Sequence, residues 1–344
     1  MKKVLVGMSG GVDSSVCALL LKNKGYDVYG ATMELWNPNN QDISKDAKEV
    51  CNKLNIPHYL IDFKNLFNKC VIRNFIEEYA NSRTPNPCIE CNKHLKFGEM
   101  YNKAKELGMD YIATGHYAKI EYSDKYKRYV LKKADNLDKD QSYVLYSIPK
   151  DILEYIIFPL GTYKTKDEIR KIARDNNLGV ASKSDSQDIC FIPDGDYKKF
   201  LEENSNIKEN IGNIIFNKKI IGKHNGLYKY TIGQRKGLGI SHEEPLYVTG
   251  FNKNKNELIV GEEKDLYVKE FKVKNYNLLL IDSIDKPIKV NVKTRYKSKE
   301  YPATISMDND LIKVVYEKPE KGITPGQSAV FYIDDIVLGG GIIV

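Results

Sequence analysis

The sequence predicts an α/β protein: a doubly wound parallel sheet, then a small central domain, then a C-terminal β-barrel. Three observations carry that prediction. Short apolar runs alternate with helical segments through the first two hundred residues or so, the rhythm of a parallel sheet with crossover helices. A turn rich in Gly and Ser, Ser9-Gly10-Gly11-Val12-Asp13-Ser14-Ser15, joins the first strand to the first helix. After about Phe200 the texture changes to Val/Ile/Tyr-rich runs separated by Gly and Asn turns, the mark of a small barrel or sandwich.

In order, Lys3–Met8 reads as a buried strand and Ser14–Lys24 as a helix stopped by Gly25. Tyr26–Met33 and Pro57–Asp62 read as strands flanking a helix at Ile43–Leu54. Asn68–Asn81 and Lys93–Leu107 read as helices, the second closed by Gly108, and Tyr111–His116 as a fourth strand. Thr165–Asn177 is a further helix with Asp167 and Glu168 in its first turn. Strands follow at 213–217, 246–251, 257–260, 275–281, 288–295, 303–307, 312–316 and 329–333. The domains are placed at 1–205, 206–264 and 265–344.

With 42% hydrophobic and 29% charged residues the chain is globular rather than disordered. No run reaches the ~18 apolar residues of a membrane helix. The N-terminus meets Ser9 and Asp13 too early for a signal peptide, so a cytoplasmic protein without a membrane partner is expected. The net charge of +7 permits an anionic partner. It gains meaning from clustering: 210–242 holds Lys218, Lys219, Lys223, Lys229, Arg235 and Lys236 and no acid. Likewise 289–299 holds Lys289, Lys293, Arg295, Lys297 and Lys299 and no acid. Such acid-free basic windows outside the first domain suit a nucleic-acid backbone.

The glycines of the 9–15 turn let backbone N–H groups approach an anion, and the helix N-terminus and serine hydroxyls add to the attraction. Phosphate or pyrophosphate is the natural ligand. Asp13 would repel it unless a cation intervenes, which points to Mg²⁺. No Gly-Lys-Ser/Thr follows, so the turn is not a Walker A loop.

Of six cysteines, Cys17, Cys51 and Cys70 fall on apolar helices and are expected in the core. Cys88 and Cys91 lie in Thr84-Pro85-Asn86-Pro87-Cys88-Ile89-Glu90-Cys91, a Pro- and Asn-rich loop opening a helix. That position, with Lys93 and Lys96 nearby, is expected to lower their pKa. Cys190 follows the polar segment 184–188. Three such thiols suggest redox, sulfur or metal chemistry. Structural zinc wants four ligands, usually as two close pairs, whereas three thiolates suit an iron–sulfur cluster with one open iron, or sulfur carried as a persulfide.

SGGVDSS resembles the pyrophosphatase-type ATP loop of enzymes that cleave between the α and β phosphates, among them several synthetases and tRNA-thiolating enzymes. Taken with RTPNPCIECN, KFG (96–98), ATGHYA (113–118), KDQSYVL (139–145), SQDICFI, GQRKGLGI (233–240), Arg295-Tyr296 and TPGQ (324–327), the whole chain resembles the bacterial tRNA-specific 2-thiouridylases. The resemblance implies that Gly7, Met8, Ser9, Gly10, Gly11, Val12, Asp13 and Ser14 bind ATP, with Met33 and Gly115 at the nucleotide. It implies Cys91 as nucleophile and Cys190 as persulfide carrier, joined by a disulfide after transfer. Asn86, Pro87 and Cys88 would approach the target base, and His116, Lys139, Asp140, Gln141, Arg295, Tyr296 and Gln327 would touch tRNA.

Many members carry Asp where this chain has Cys88, which raises the prospect of a cluster held by Cys88, Cys91 and Cys190. The implied partners are the anticodon loop of tRNA and a sulfur-donor protein or sulfide, acting on a monomer; 184–188 is expected to reorder when RNA binds. A small-molecule ATP-dependent ligase would share the loop but need neither Cys91 nor Cys190. A noncatalytic RNA-binding module would leave the loop unexplained.

Overall fold

The computed structural model describes residues 1–37, 42–181, 183 and 189–344; the expected reordering of 184–188 concerns residues outside those described. Strands β1 (Lys3–Gly7), β2 (Asp27–Glu34), β3 (His58–Asp62) and β4 (Tyr111–Ala113) are parallel neighbours. The chain then makes a hairpin, β5 (Lys119–Ser123) and β6 (Arg128–Lys132), before β7 (Ile156–Ile157) completes the sheet in the order β3-β2-β1-β4-β7. β1 is central, and Val4, Leu5 and Val6 are all 0% exposed. Their alternation sends Leu5 into one apolar cluster and Val4 and Val6 into another, so helices cover both faces as a doubly wound sheet requires.

Helix α1 (Val12–Asn23) follows β1 directly, and α2 (Lys45–Lys53) follows β2. A helical run α3 spans 64–80 and another, α4, spans 87–106. In α5 (Lys166–Asp175) the Thr165 hydroxyl accepts from the Glu168 N–H while the Glu168 carboxylate accepts from the Thr165 N–H, a capping box that pins the first turn. α6 (Tyr197–Asn204) ends the region.

Four strands make the central unit: β8 (Gly212–Phe216), β9 (Lys219–His224), β10 (Tyr247–Asn252) and β11 (Glu257–Gly261), around Ile214, Val248 and Leu258. The C-terminal strands are β12 (Val268–Leu278), β13 (Ile288–Lys293), β14 (Tyr301–Asp308), β15 (Leu311–Glu320), β16 (Ser328–Ile333) and β17 (Ile336–Ile343). They run β12-β15-β14-β13-β16-β17, and β12 pairs with β17 to close the barrel.

The structure departs from the sequence reading in instructive places. Helix α4 begins at Pro87, not Lys93, so Cys88 and Cys91 sit in its first turns rather than in a loop. Proline is tolerated there because a first-turn N–H has no helical partner. The hairpin β5–β6, β7, α6 and β9 went unread because each is short. β17 was hidden by Gly339-Gly340-Gly341, which looks like a turn. In the barrel a Cβ at Gly340 would lie 2.7 Å from the Ala329 carbonyl oxygen and one at Gly341 2.6 Å from Val273 Cγ1. The glycines allow close backbone packing at closure.

The barrel is fastened to the first domain. The Tyr143 hydroxyl donates to the Ser328 carbonyl (2.9 Å), and Asn277 Nδ2 donates to the carbonyls of Tyr146 and Ile148 (2.8 Å each). Asp140 anchors the adjoining turn. It is 6% exposed and accepts from the N–H groups of Ala134 (3.0 Å) and Ser142 (3.2 Å) and from the Ser142 hydroxyl (2.7 Å). That hydroxyl lies 3.1 Å from the hydroxyl of Tyr332 in the barrel. Asp140→Ala strands two buried amides and is expected to destabilise the protein by roughly 3 kcal/mol. A urea unfolding midpoint equal to that of the unchanged protein refutes this anchoring role.

Candidate active site

The strand order places the topological switch between β1 and β4, where open α/β sheets bind ligands at the carboxyl ends of their strands. The 8–11 turn leaves β1 at this point. Gly10 has φ +72°, a conformation that glycine adopts without strain. α1 starts from Gly11 with no side-chain cap, so its amide dipoles open toward the turn. Ser9 N–H donates to Ser14 Oγ (3.2 Å), and the hydroxyls of Ser14 and Ser15 donate to the Gly11 carbonyl (3.1 and 2.9 Å). From the other side comes Gly115. A Cβ there would lie 2.8 Å from the Asp13 carbonyl carbon and 2.9 Å from the Ser14 nitrogen, so the segment after β4 closes directly on the loop. Met33, toward the carboxyl end of β2, is half-buried beside the first core cluster.

Asp13, where Mg²⁺ is expected, is engaged by protein side chains. Lys166 Nζ is 2.6 Å from both Asp13 carboxylate oxygens, and the Tyr117 hydroxyl donates to Oδ1 at 2.7 Å. Sequence reasoning missed Lys166; its one signal was its place at the start of a capped helix. The loop suits phosphates: a glycine turn, an uncapped helix start, and an acid already balanced by a cation.

The thiols form a second group, related to the loop through Lys96, whose charge is felt both at the thiols and at His116, next in sequence to Gly115. Cys91 is 7% exposed, whereas Cys88 and Cys190 reach solvent from a crowded recess. Cys88 and Cys190 each act electrostatically on Cys91, and Cys88 on Cys190, so Cys190, far along the chain, meets the Cys88–Cys91 pair. Their pKa values correct the expectation. Burial pushes Cys91 up to about 12 and also raises Cys88 and Cys190. Lys96 pulls the other way at each, and desolvation wins. All six cysteines are free thiols in this structure. Cys17 and Cys51 are core residues, and half-buried Cys70 packs against the core.

Among the described residues no three His, Cys, Asp or Glu side chains are arranged to hold a metal ion. Cys88, Cys91 and Cys190 therefore do not fit a cluster as they stand.

The chain matches three family models: a tRNA methyl transferase HUP domain at residues 2–194, a tRNA methyl transferase PRC-barrel domain at 198–262 and an aminomethyltransferase beta-barrel domain at 268–343. The tRNA-specific 2-thiouridylase MnmA of Acetivibrio thermocellus is 47% identical over 99% of both chains. The enzymes of the same description from Clostridioides difficile (46%) and Clostridium botulinum (47%) align over 99% of this chain and 98% of theirs. The chain belongs to the tRNA-specific 2-thiouridylase family. It is thus a transferase, and its loop and thiols are read below as parts of a thiouridylase.

The remaining thiouridylase positions fall into two sets. Asn86 is half-buried and Pro87 buried at the start of α4, next to Cys88. Tyr296 is near enough to Cys88 for the two to interact electrostatically, and its ring lies 6.2 Å from that of Tyr143. His116 is buried, with Nδ1 2.7 Å from the Thr114 hydroxyl. Burial holds it well below the usual histidine range, so it is neutral at pH 7. Half-buried Lys139 precedes the Asp140 turn.

The others are engaged within the protein. Gln141 exchanges hydrogen bonds with the backbone of Tyr117 (2.8 and 2.9 Å). Arg295 donates to the Ile232 carbonyl (2.9 Å) and the Thr324 hydroxyl (2.6 Å), tying the central unit to the barrel. Gln327 donates to the carbonyls of Thr84 (2.8 Å) and Pro85 (3.2 Å), and Thr84 N–H donates to the Pro325 carbonyl (2.9 Å). So the 324–327 segment buttresses the loop leading into Cys88.

Within the first basic window, Lys218, Lys219, Arg235 and Lys236 are exposed, while Lys229 is paired with Glu202 and Glu209. A cleft of about 280 Å³ lined by Lys2, Tyr101, Met109 and Tyr129 lies at the opposite end of the sheet and takes no part in this site. No helix among the described residues is long and apolar enough to cross a membrane.

Proposed function

We propose that this enzyme forms 2-thiouridine at the wobble position of tRNA, using ATP to activate the base and a cysteine-borne sulfur to replace its oxygen. The observation that carries the proposal is the meeting of Cys91 and Cys190 in a chain whose glycine turn opens at the sheet's switch point.

The C2 oxygen of uridine is amide-like and a poor leaving group. Adenylation makes it a phosphate ester and releases pyrophosphate, which suits a loop that grips the whole triphosphate chain. Residues Gly7 to Ser14 would hold the phosphates, with Gly115 and Met33 at the nucleoside. Mg²⁺ arriving with ATP would neutralise phosphate charge, while Lys166 and Tyr117 hold Asp13. The Cys190 thiolate attacks the outer sulfur of a persulfide on a donor protein, whose own thiol leaves, and Cys190 carries that sulfur as a persulfide. The Cys91 thiolate attacks Cys190 Sγ, forming the Cys91–Cys190 disulfide and expelling the outer sulfur as hydrosulfide. Hydrosulfide attacks C2, AMP departs with the former oxygen, and an external thiol returns two electrons to the disulfide. The raised thiol pKa values keep the resting cysteines protonated and unreactive until substrate arrives.

Asn86, Pro87, Cys88 and Tyr296 would surround a base flipped out of the anticodon loop, with neutral His116 and Lys139 near by. Asp140, Gln141, Arg295 and Gln327 would shape the surface that tRNA meets, and the exposed basic residues of the central unit would hold its backbone.

Incubation with ATP, Mg²⁺, a persulfide-bearing sulfur donor, a thiol reductant and unmodified tRNA is expected to yield 2-thiouridine, detected by nucleoside mass spectrometry. Pyrophosphate release with ammonia and a small acid, with no thiolated nucleoside, refutes the proposal in favour of a ligase.

A further inference from the structure

Helix α4 changes its winding just after Cys91. Asn92–Glu99 is π-helical, with hydrogen bonds that return every five residues instead of four. The tight turn is visible at Gly98, where a Cβ would lie 2.9 Å from the Lys93 carbonyl oxygen. This wider winding turns Lys96 toward the side of the helix that carries Cys91, whereas on an ordinary α-helix a residue five positions on would be turned about 140° away. With this winding Leu95 and Phe97 are 0% and 1% exposed and fill the core, and Lys96 stands half-buried among the thiols. Its charge is felt at Cys88, Cys91, Cys190 and His116, and among the described residues it is the one cation common to all four. No described carboxylate pairs with it. A half-buried ammonium without a counter-ion, facing three neutral thiols, is a site prepared for a negative charge that comes and goes.

We propose that Lys96 is the positioning charge of the sulfur-transfer centre: the π-turn brings its ammonium over Cys91, where it stabilises the Cys91 thiolate and the sulfur anion expelled from Cys190. This builds on the sulfur-transfer function above. Among the described residues, the groups that act on the thiols are one another, Lys96, and Tyr296 beside Cys88. Lys96 is therefore the main source of positive charge on them.

The test is cysteine-resolved alkylation by iodoacetamide, followed by mass spectrometry across neutral to alkaline pH on the full chain. Lys96→Met is expected to shift the profiles of Cys88 and Cys190 to higher pH and to slow their alkylation about 3–10-fold near pH 8, as loss of one nearby charge predicts. Lys96→Arg is expected to restore the profile, and Cys17, which is 0% exposed, stays unreactive in every variant. Melting curves establish folding, and Lys96→Gln replaces Lys96→Met if the latter does not fold. Unchanged profiles in a folded charge-removed variant overturn the proposal even if the unchanged protein thiolates tRNA. Shifted profiles in a protein that forms no 2-thiouridine uphold the Lys96–thiol coupling and refute the sulfur-transfer function instead.

Discussion

Cys91→Ala is expected to reduce 2-thiouridine formation by at least about 10³-fold, the loss typical of removing a nucleophile, while tRNA-dependent release of pyrophosphate from ATP continues. The two halves of the reaction use different parts of the molecule. In the proposed reaction the loop at 9–15 and Gly115 hold ATP, and the cysteines handle sulfur. Removing a sulfur atom from α4 leaves the loop's hydrogen bonds untouched. The variant also has a distinctive covalent signature. With Cys91 absent nothing attacks Cys190 Sγ, so protein supplied with sulfide and an oxidised sulfur donor retains one extra sulfur atom on Cys190, visible by mass spectrometry of the intact peptide. Cys190→Ala should be equally inactive but carry no extra sulfur there. Thiolation that survives both substitutions refutes the assignment of these two residues.

The second large effect is at Gly115. Its position demands glycine for space: the added Cβ would contact the Asp13 carbonyl carbon at 2.8 Å and the Asp13 Cβ at 2.9 Å. Neither is the loose end of a side chain, so the start of α1 has to move, and with it the loop. Gly115→Ala is expected to weaken ATP binding at least tenfold, about 1.4 kcal/mol, with a small change in melting temperature. Gly25→Ala at the other end of α1 is the control. Gly25 has φ +82° and nothing within 4 Å of an added Cβ. That substitution costs backbone strain of order 1 kcal/mol and leaves ATP affinity unchanged. Calorimetry on the two variants separates a local effect on the loop from a general loss of stability. Equal ATP affinity in Gly115→Ala and the unchanged protein would remove Gly115 from the nucleotide site.

Features set by local chemistry were legible from the amino acids in order. The phosphate loop depends on glycines and serines next to one another, the α5 start on Thr165 and Glu168 three apart, and the alternation of β and α elements on short apolar runs. The core placing of Cys17 and Cys51 was also legible, since both lie within apolar helical patterns. Features set by burial and by distant partners were not. The thiol pKa values came out opposite to the reading from helix start and neighbouring lysines, because desolvation is imposed by everything packed around a sulfur atom. Lys166 meets Asp13 only because α5 packs beside α1. The closure of β17 on β12, the hairpin β5–β6 joined to the barrel's edge at Lys132 and Ile336, and the bracing of the Thr84–Pro85 loop by Gln327 each join segments far apart in the chain. Sequence alone thus determined which groups this protein has for its chemistry. The tertiary structure decided which of them meet and how strongly each is charged, because proximity and desolvation are properties of the packed whole.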